Sequence, residues 1–124
     1  MKMFNRTTGR LAEDLAAHAL AQKDYKILER NFGNKFGEID IIAQDHNTLV
    51  FVEVKAKTGV EFGSPEEMIS PAKLQKIRNM AMVYLEGKSL PAGRQGLPCR
   101  IDVIAVVLNL DDDLVRLTHY ENVY

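Results

Sequence analysis

The sequence predicts an α/β domain in the order α-β-β-β-α-β-β, with helices on either side of a mixed sheet. Three observations carry that class. "RIDVIAVVL" (Arg100–Leu108) is a nearly continuous apolar run, the signature of a strand buried on both faces. "EIDIIAQDHNTLVFVEVK" (Glu38–Lys55) reads as two apolar strands joined across "DHN". Segments of helical period lie before and after that hairpin. At 124 residues the chain is expected to form one domain over 1–124, burying roughly two-thirds of its unfolded surface.

Taken in order, Thr7 and Thr8 are candidate N-caps for a helix over "GRLAEDLAAHALAQK". Leu11, Leu15 and Ala19 share one face there, with Ala12, Ala16 and Leu20 beside them. "YKILERNF" is the first strand, ended by the turn-prone "GNKFG". After the hairpin the pattern turns helical. "SPEE" at Ser64–Glu67 and "SPAK" at Ser70 each pair a Ser cap with Pro in the first helical position. Leu74, Ile77, Ala81, Tyr84 and Leu85 then mark one face of a long helix that stops near Gly87. "KSLPAGRQGLPC" is a loop, "NLDDD" a turn, and "LVRLTHY" the last strand.

A formal net charge of -1 excludes a histone-like basic protein but leaves room for a local basic patch that binds nucleic acid. One cysteine, Cys99, precludes an internal disulfide and fits a reducing compartment. With neither a signal-peptide pattern nor a ~20-residue apolar run, the expected location is the cytoplasm, with no membrane contact. Nucleotide-binding glycine motifs, G-x-S-x-G and H-E-x-x-H are all missing. His18, His46 and His119 lack ligand spacing and read as surface or capping residues.

The unusual feature is charge inside the hairpin strands: Glu38, Asp40, Glu53 and Lys55. Centring the turn between His46 and Asn47 sets Asp40 opposite Glu53 and Glu38 opposite Lys55. The other face is then Ile39, Ile41 and Ala43 against Val54, Val52 and Val50. A slip of one residue would put carboxylates opposite valines, which burial forbids. Opposed side chains lie ~5 Å apart at Cβ, so ionised Asp40 and Glu53 would repel. A shared proton or a bound cation would offset that. The plainer arrangement is a Glu38–Lys55 salt bridge with the other two carboxylates in water.

Asp40 followed by Glu53-Val54-Lys55 matches the D…(D/E)-x-K pattern of the PD-(D/E)XK nuclease superfamily. Carboxylates on adjacent strands can hold Mg²⁺ through hard oxygens, and a lysine on the same face can orient water or stabilise transition-state charge. "GRLAEDLAAHAL", "YKILERNF", "GEIDIIA", "LVFVEVKAKT", "RIDVIAVV" and "THYENVY" together resemble the uncharacterised bacterial YraN family over nearly the whole chain. That family is expected to have a restriction endonuclease-like fold and is similar to archaeal Holliday junction resolvases.

The resemblance implies Asp40 and Glu53 as metal carboxylates, with the Val54 carbonyl as an extra ligand. It implies Lys55 as the catalytic lysine and Glu13 as a helical glutamate pointing into the site. Glu38 matches the glutamate of "GEID" in an accessory place. Lys57 stands where the family usually has arginine, and another usual arginine is missing near Gly33. "KSLPAGRQG" has the look of an insertion. Both missing arginines concern phosphate contacts rather than metal.

Lys57, Lys73, Lys35 and Arg10 are the candidate DNA-phosphate contacts, alongside Arg30, Lys76 and Arg78, and Lys73 is the strongest. Arg100 and Asp102 read as a structural ion pair, and Asp14 as solvated. The expected function is a Mg²⁺- or Mn²⁺-dependent endonuclease on DNA, branched or single-strand-containing, acting by analogy as a homodimer. The alternative is a catalytically silent nucleic-acid-binding or protein-binding domain that keeps the fold.

Overall fold

The computed structural model describes residues 6–59, 69–87 and 90–123. Its elements are α1 (Arg6–Gln22), β1 (Lys26–Asn34), β2 (Gly37–Asp45), β3 (Thr48–Thr58), α2 (Pro71–Glu86), β4 (Cys99–Leu108) and β5 (Leu114–Tyr120). This is the α-β-β-β-α-β-β order expected from the sequence. The strands form one sheet in the order β1-β2-β3-β4-β5. Only β3 and β4 run parallel; the other neighbours are antiparallel. α2 and the loop after it supply the crossover that a parallel pair requires.

Among the described residues, each face of the sheet carries one helix. α1 lays Ala12, Ala16 and Leu20 on Ile41, Ala43, Val50, Val52, Ile104, Val106 and Leu108. The two alanines let the helix approach closely, so Leu11 and Leu15 pack at the margin rather than at the centre of the contact. α2 brings Ile77, Met80, Ala81 and Tyr84 onto Ile42, Leu49, Phe51, Ile101 and Val103. The rings of Phe32 and Phe51 meet Tyr84 edge-on, at centroid distances of 5.2 and 6.1 Å.

The helix ends follow local chemistry. α1 begins at Arg6, so Thr7 and Thr8 lie in its first turn rather than at the cap, and Thr8 is buried. Its far end closes as a Schellman motif: Asp24 adopts a left-handed φ of 68°, while the Tyr25 and Asp24 amides donate to the Leu20 and Ala21 carbonyls. Ser70 caps α2 as expected, its side chain accepting from the Lys73 amide at 3.1 Å with Pro71 behind it. The Ser64–Glu67 start lies outside the described residues.

The hairpin register is the expected one where the ladder exists, from Asp45↔Thr48 to Ile41↔Val52. His46 turns the chain with φ 55°. Beyond Ile41 the strands part, so neither Asp40 with Glu53 nor Glu38 with Lys55 forms a ladder pair. Across β1, Asn31 stands between the pairs Arg30↔Ile41 and Phe32↔Ile39 and takes a φ of 53°. That left-handed residue breaks the alternation. Ile39, expected beside Ile41 on the α1 face, packs with Phe32 on the α2 face instead. Gly33 is required next to it, because a Cβ there would collide with the Gly37 carbonyl oxygen and the Glu38 backbone.

Replacing Ser70 with alanine removes the α2 cap and should cost about 1 kcal/mol in urea denaturation. An unchanged midpoint would mean that tertiary contacts alone hold the helix start.

Candidate functional site

The charges of the hairpin converge where β2 and β3 part. Glu53 points from β3 towards the start of α2 and is only 5% exposed. Its Oε2 lies 3.6 Å from Lys55 Nζ and 3.6 Å from Lys73 Nζ. Its Oε1 is buried without a hydrogen-bond partner. Because Glu53 and Lys55 alternate with Val52 and Val54 along β3, the apolar residues fill the α1 face and the charges meet α2.

Asp40 turns its carboxylate to the backbone of β3, where Oδ2 accepts from the Val54 amide at 2.8 Å. Burial, and then the charge of Glu53, raise the Asp40 carboxyl from 3.8 to about 7; Glu13 adds to the rise, while the Val54 hydrogen bond and Lys73 oppose it. Glu13 reaches this region from α1. Asn31 Nδ2 donates to its Oε1 at 2.9 Å, and Arg30 Nη2 stands 4.0 Å from the same oxygen. Asp14, expected in water, is more than half exposed and pairs with Arg30 at 2.8 Å.

Asp40, Glu53, Lys55 and Lys73 are thus brought together, with Glu13 at the edge. Glu38 is exposed and has no part in the cluster; Lys55 pairs with Glu53 instead, so the simple Glu38–Lys55 bridge is overturned. Lys57 and Arg10 are exposed. Lys35, in the β1–β2 turn, lies over the Phe36 ring at 5.3 Å. Among the described residues, no group of three or more His, Cys, Asp or Glu side chains is placed to hold a metal ion. The described helices include none long and apolar enough to cross a membrane.

Two things escaped the linear reading. Asn31 carries no motif, and only its left-handed backbone beside Asp40 marks it. Lys73 was expected on phosphate, and here it contacts a carboxylate of the hairpin.

A second polar cluster lies under the C-terminal end of α1. Asp102, fully buried, accepts from Arg100 Nε at 3.0 Å, His119 Nε2 at 2.7 Å and the Asn122 amide at 2.8 Å. An ionised carboxylate only accepts, so Nε2 of His119 carries the hydrogen and Nδ1 accepts a hydrogen bond from Lys23 Nζ at 2.9 Å. Arg100 also reaches Asp45 at 3.2 Å and the Tyr25 hydroxyl at 2.6 Å. Burial works against the Asp102 charge, yet these donors hold its pKa below the ordinary value. The structural role expected for Arg100 and Asp102 holds, but His119 is buried within it rather than on the surface. An apolar groove of about 440 Å³ between α2 and the start of β4, lined in part by Phe51, Met82, Leu85 and Ile101, includes none of the hairpin charges.

Residues 12–106 match the model of the uncharacterised protein family UPF0102. A UPF0102 protein of Pelotomaculum thermopropionicum is 41% identical over 116 residues, covering 94% of this chain and 93% of its own. One from Caldanaerobacter subterraneus subsp. tengcongensis is 43% identical over 124 residues, covering 99% and 98%. One from Clostridium botulinum is 37% identical over 124 residues, covering 100% and 98%.

The raised Asp40 carboxyl has a stability consequence. Between the ordinary value of 3.8 and about 7, the folded chain holds a proton that the unfolded chain has lost. Folding is therefore favoured at low pH and loses that advantage as pH rises through this window. Asp40→Asn keeps an acceptor for Val54 and cannot ionise. Without divalent cations it should exceed wild type by about 1–3 kcal/mol above pH 7, the gap closing towards pH 4. Urea denaturation at both pH values reads this, and a pH-independent gap would contradict it.

Proposed function

The chain belongs to the UPF0102 family, and for this member we propose a divalent-metal-dependent endonuclease that hydrolyses phosphodiester bonds in DNA, of the PD-(D/E)XK type. The observation that carries the proposal is the pair Asp40 and Glu53 on adjacent strands. Burial, and then the charge of Glu53, let Asp40 keep its proton to about 7, and Glu53 Oε1 is buried without a partner. Perturbed titration of this kind concentrates at functional sites. An orphaned oxygen next to a second carboxylate fits a hard dication.

Asp40 and Glu53 would hold Mg²⁺ or Mn²⁺, with the Val54 carbonyl as a further oxygen donor. The ion supplies polarisation of a phosphate oxygen and a water of lowered pKa. Lys55, on the Glu53 face of β3, stabilises the negative charge that builds on the phosphate as water adds and the ester oxygen leaves. Asn31 and Arg30 hold Glu13 beside Asp40, where its charge favours a cation. Lys57, Lys35, Arg10 and Lys73 contact backbone phosphates and position the duplex. Branched or single-strand-containing DNA, a homodimer and a cytoplasmic location complete the proposal.

A second reading, a catalytically silent binding domain, is favoured by one feature. Two ammonium groups already neutralise Glu53, and no third acid among the described residues completes a metal set.

Titration calorimetry of Mg²⁺ and Mn²⁺ into wild type and Asp40→Asn/Glu53→Gln, beside a branched-DNA cleavage panel, separates the two. The nuclease binds metal and cuts, and the variant does neither. Because the ion needs Asp40 ionised, affinity should rise about tenfold per pH unit below pH 7 and level off above it. Neither binding nor cleavage, with DNA present or absent, would overturn the nuclease and leave a folded relic or a binding domain. Lys55→Ala should fold and bind metal while losing cleavage by about 100-fold or more. Equal activity would remove lysine from the mechanism.

A further inference from the structure

Glu53 Oε2 is shared by two ammonium groups that come from different elements. Lys55 belongs to the same strand, two residues on, so its stem is rooted on the same face beside Glu53. Lys73 arrives from α2, across the site, with its Nζ 3.6 Å from Oε2 and its side chain 39% exposed. Its backbone is anchored, since the Ser70 cap holds the Lys73 amide at 3.1 Å and Pro71 stiffens the turn. A four-carbon stem on a fixed base can swing its charge without moving the helix.

With no cation present, both lysines neutralise a carboxylate that the fold has taken out of water. A dication bound to the same carboxylate reverses the situation, because three positive groups would then crowd one carboxylate. The two ammonium groups are almost equally exposed, at 35% for Lys55 and 39% for Lys73, so the one that gives way is the one rooted on a different element from Glu53.

We infer that Lys73 is the site's built-in competitor for metal: it occupies Glu53 in the cation-free protein and moves onto a substrate phosphate when a divalent ion binds. This rests on the metal reading above, and adds an exchange that couples metal binding to polyanion binding. The free protein keeps its charge paired, and the loaded one presents an extra cation where a phosphate is needed. Lys55 stays beside Glu53 in both states.

The test uses the whole chain with Lys73→Gln, Lys73→Arg and Lys55→Gln. Calorimetric titration of Mg²⁺ without DNA should give about tenfold tighter binding to Lys73→Gln than to wild type, with Lys73→Arg near wild type. Binding of a DNA duplex is then measured over a range of NaCl, with Ca²⁺ replacing Mg²⁺ to suppress cleavage. In Ca²⁺, the slope of log affinity against log salt should be shallower by about one phosphate contact in Lys73→Gln. Without divalent ion the two slopes should coincide.

Metal binding of equal strength in wild type and Lys73→Gln would overturn the competitor role and leave the metal site standing. Failure of both proteins to bind metal would overturn the site itself. A slope difference that persists without metal would make Lys73 a standing phosphate contact and overturn the exchange. A gain in metal affinity in Lys55→Gln alone would assign the competition to Lys55 and overturn the inference.

Discussion

β3 occupies the middle of the sheet, with β2 and β4 beside it and a helix over each face, so Glu53 has almost no water to solvate its charge. A carboxylate in that position needs cations, and the fold brings two, one from its own strand and one from α2. Asp40 bears the rest of the cost. It lies where the ladder has stopped, its own charge opposed by burial and by Glu53, and the Val54 amide only partly offsets this. The arrangement is tolerated because Ile41, Ala43, Val50 and Val52 on the reverse of the hairpin are completely buried and lock its register.

Two aspartates in one sheet, Asp102 buried and Asp40 half-buried, show how differently such charge can be treated. Asp102 is surrounded by donors on three sides, and its pKa falls in spite of burial. It ties the end of α1, the hairpin turn and β5 together through Tyr25, Asp45, Arg100 and His119. Asp40 has one backbone donor and an acidic neighbour, and its pKa climbs. A satisfied network is a brace, whereas an incompletely satisfied one carries a perturbed charge of the kind that concentrates at functional sites. Sequence spacing alone does not separate the two, since both aspartates sit inside apolar strands.

Parting of β2 from β3 is what frees the Val54 amide for the Asp40 carboxylate. Had the ladder continued, Asp40 would have faced Glu53 directly and the Val54 amide would have been used in pairing. The left-handed backbone of Asn31 lies across from that point, where Phe32 and Ile39 both pack on the α2 core, and the Asn31 side chain holds Glu13. One residue thus positions an acid near Asp40. Such a conformation is rare outside glycine, but asparagine adopts it more readily than most residues.

By itself the sequence determined the element order, the register at the hairpin turn, the Ser70 cap, and Asp40 and Glu53 as neighbouring acids. Those features rest on periods of 2 and 3.6 and on hydrogen bonds within a few residues, all written locally in the chain. Only the tertiary structure decided that Lys73 meets Glu53 rather than solvent, that Glu38 drops out, that His119 is buried, and that Ile39 changes faces. Each of those depends on how α2, β1 or β5 packs against the hairpin. Side chains far apart in the sequence are brought together by the crossing of whole elements, and no local period encodes where a four-carbon stem or an imidazole will end.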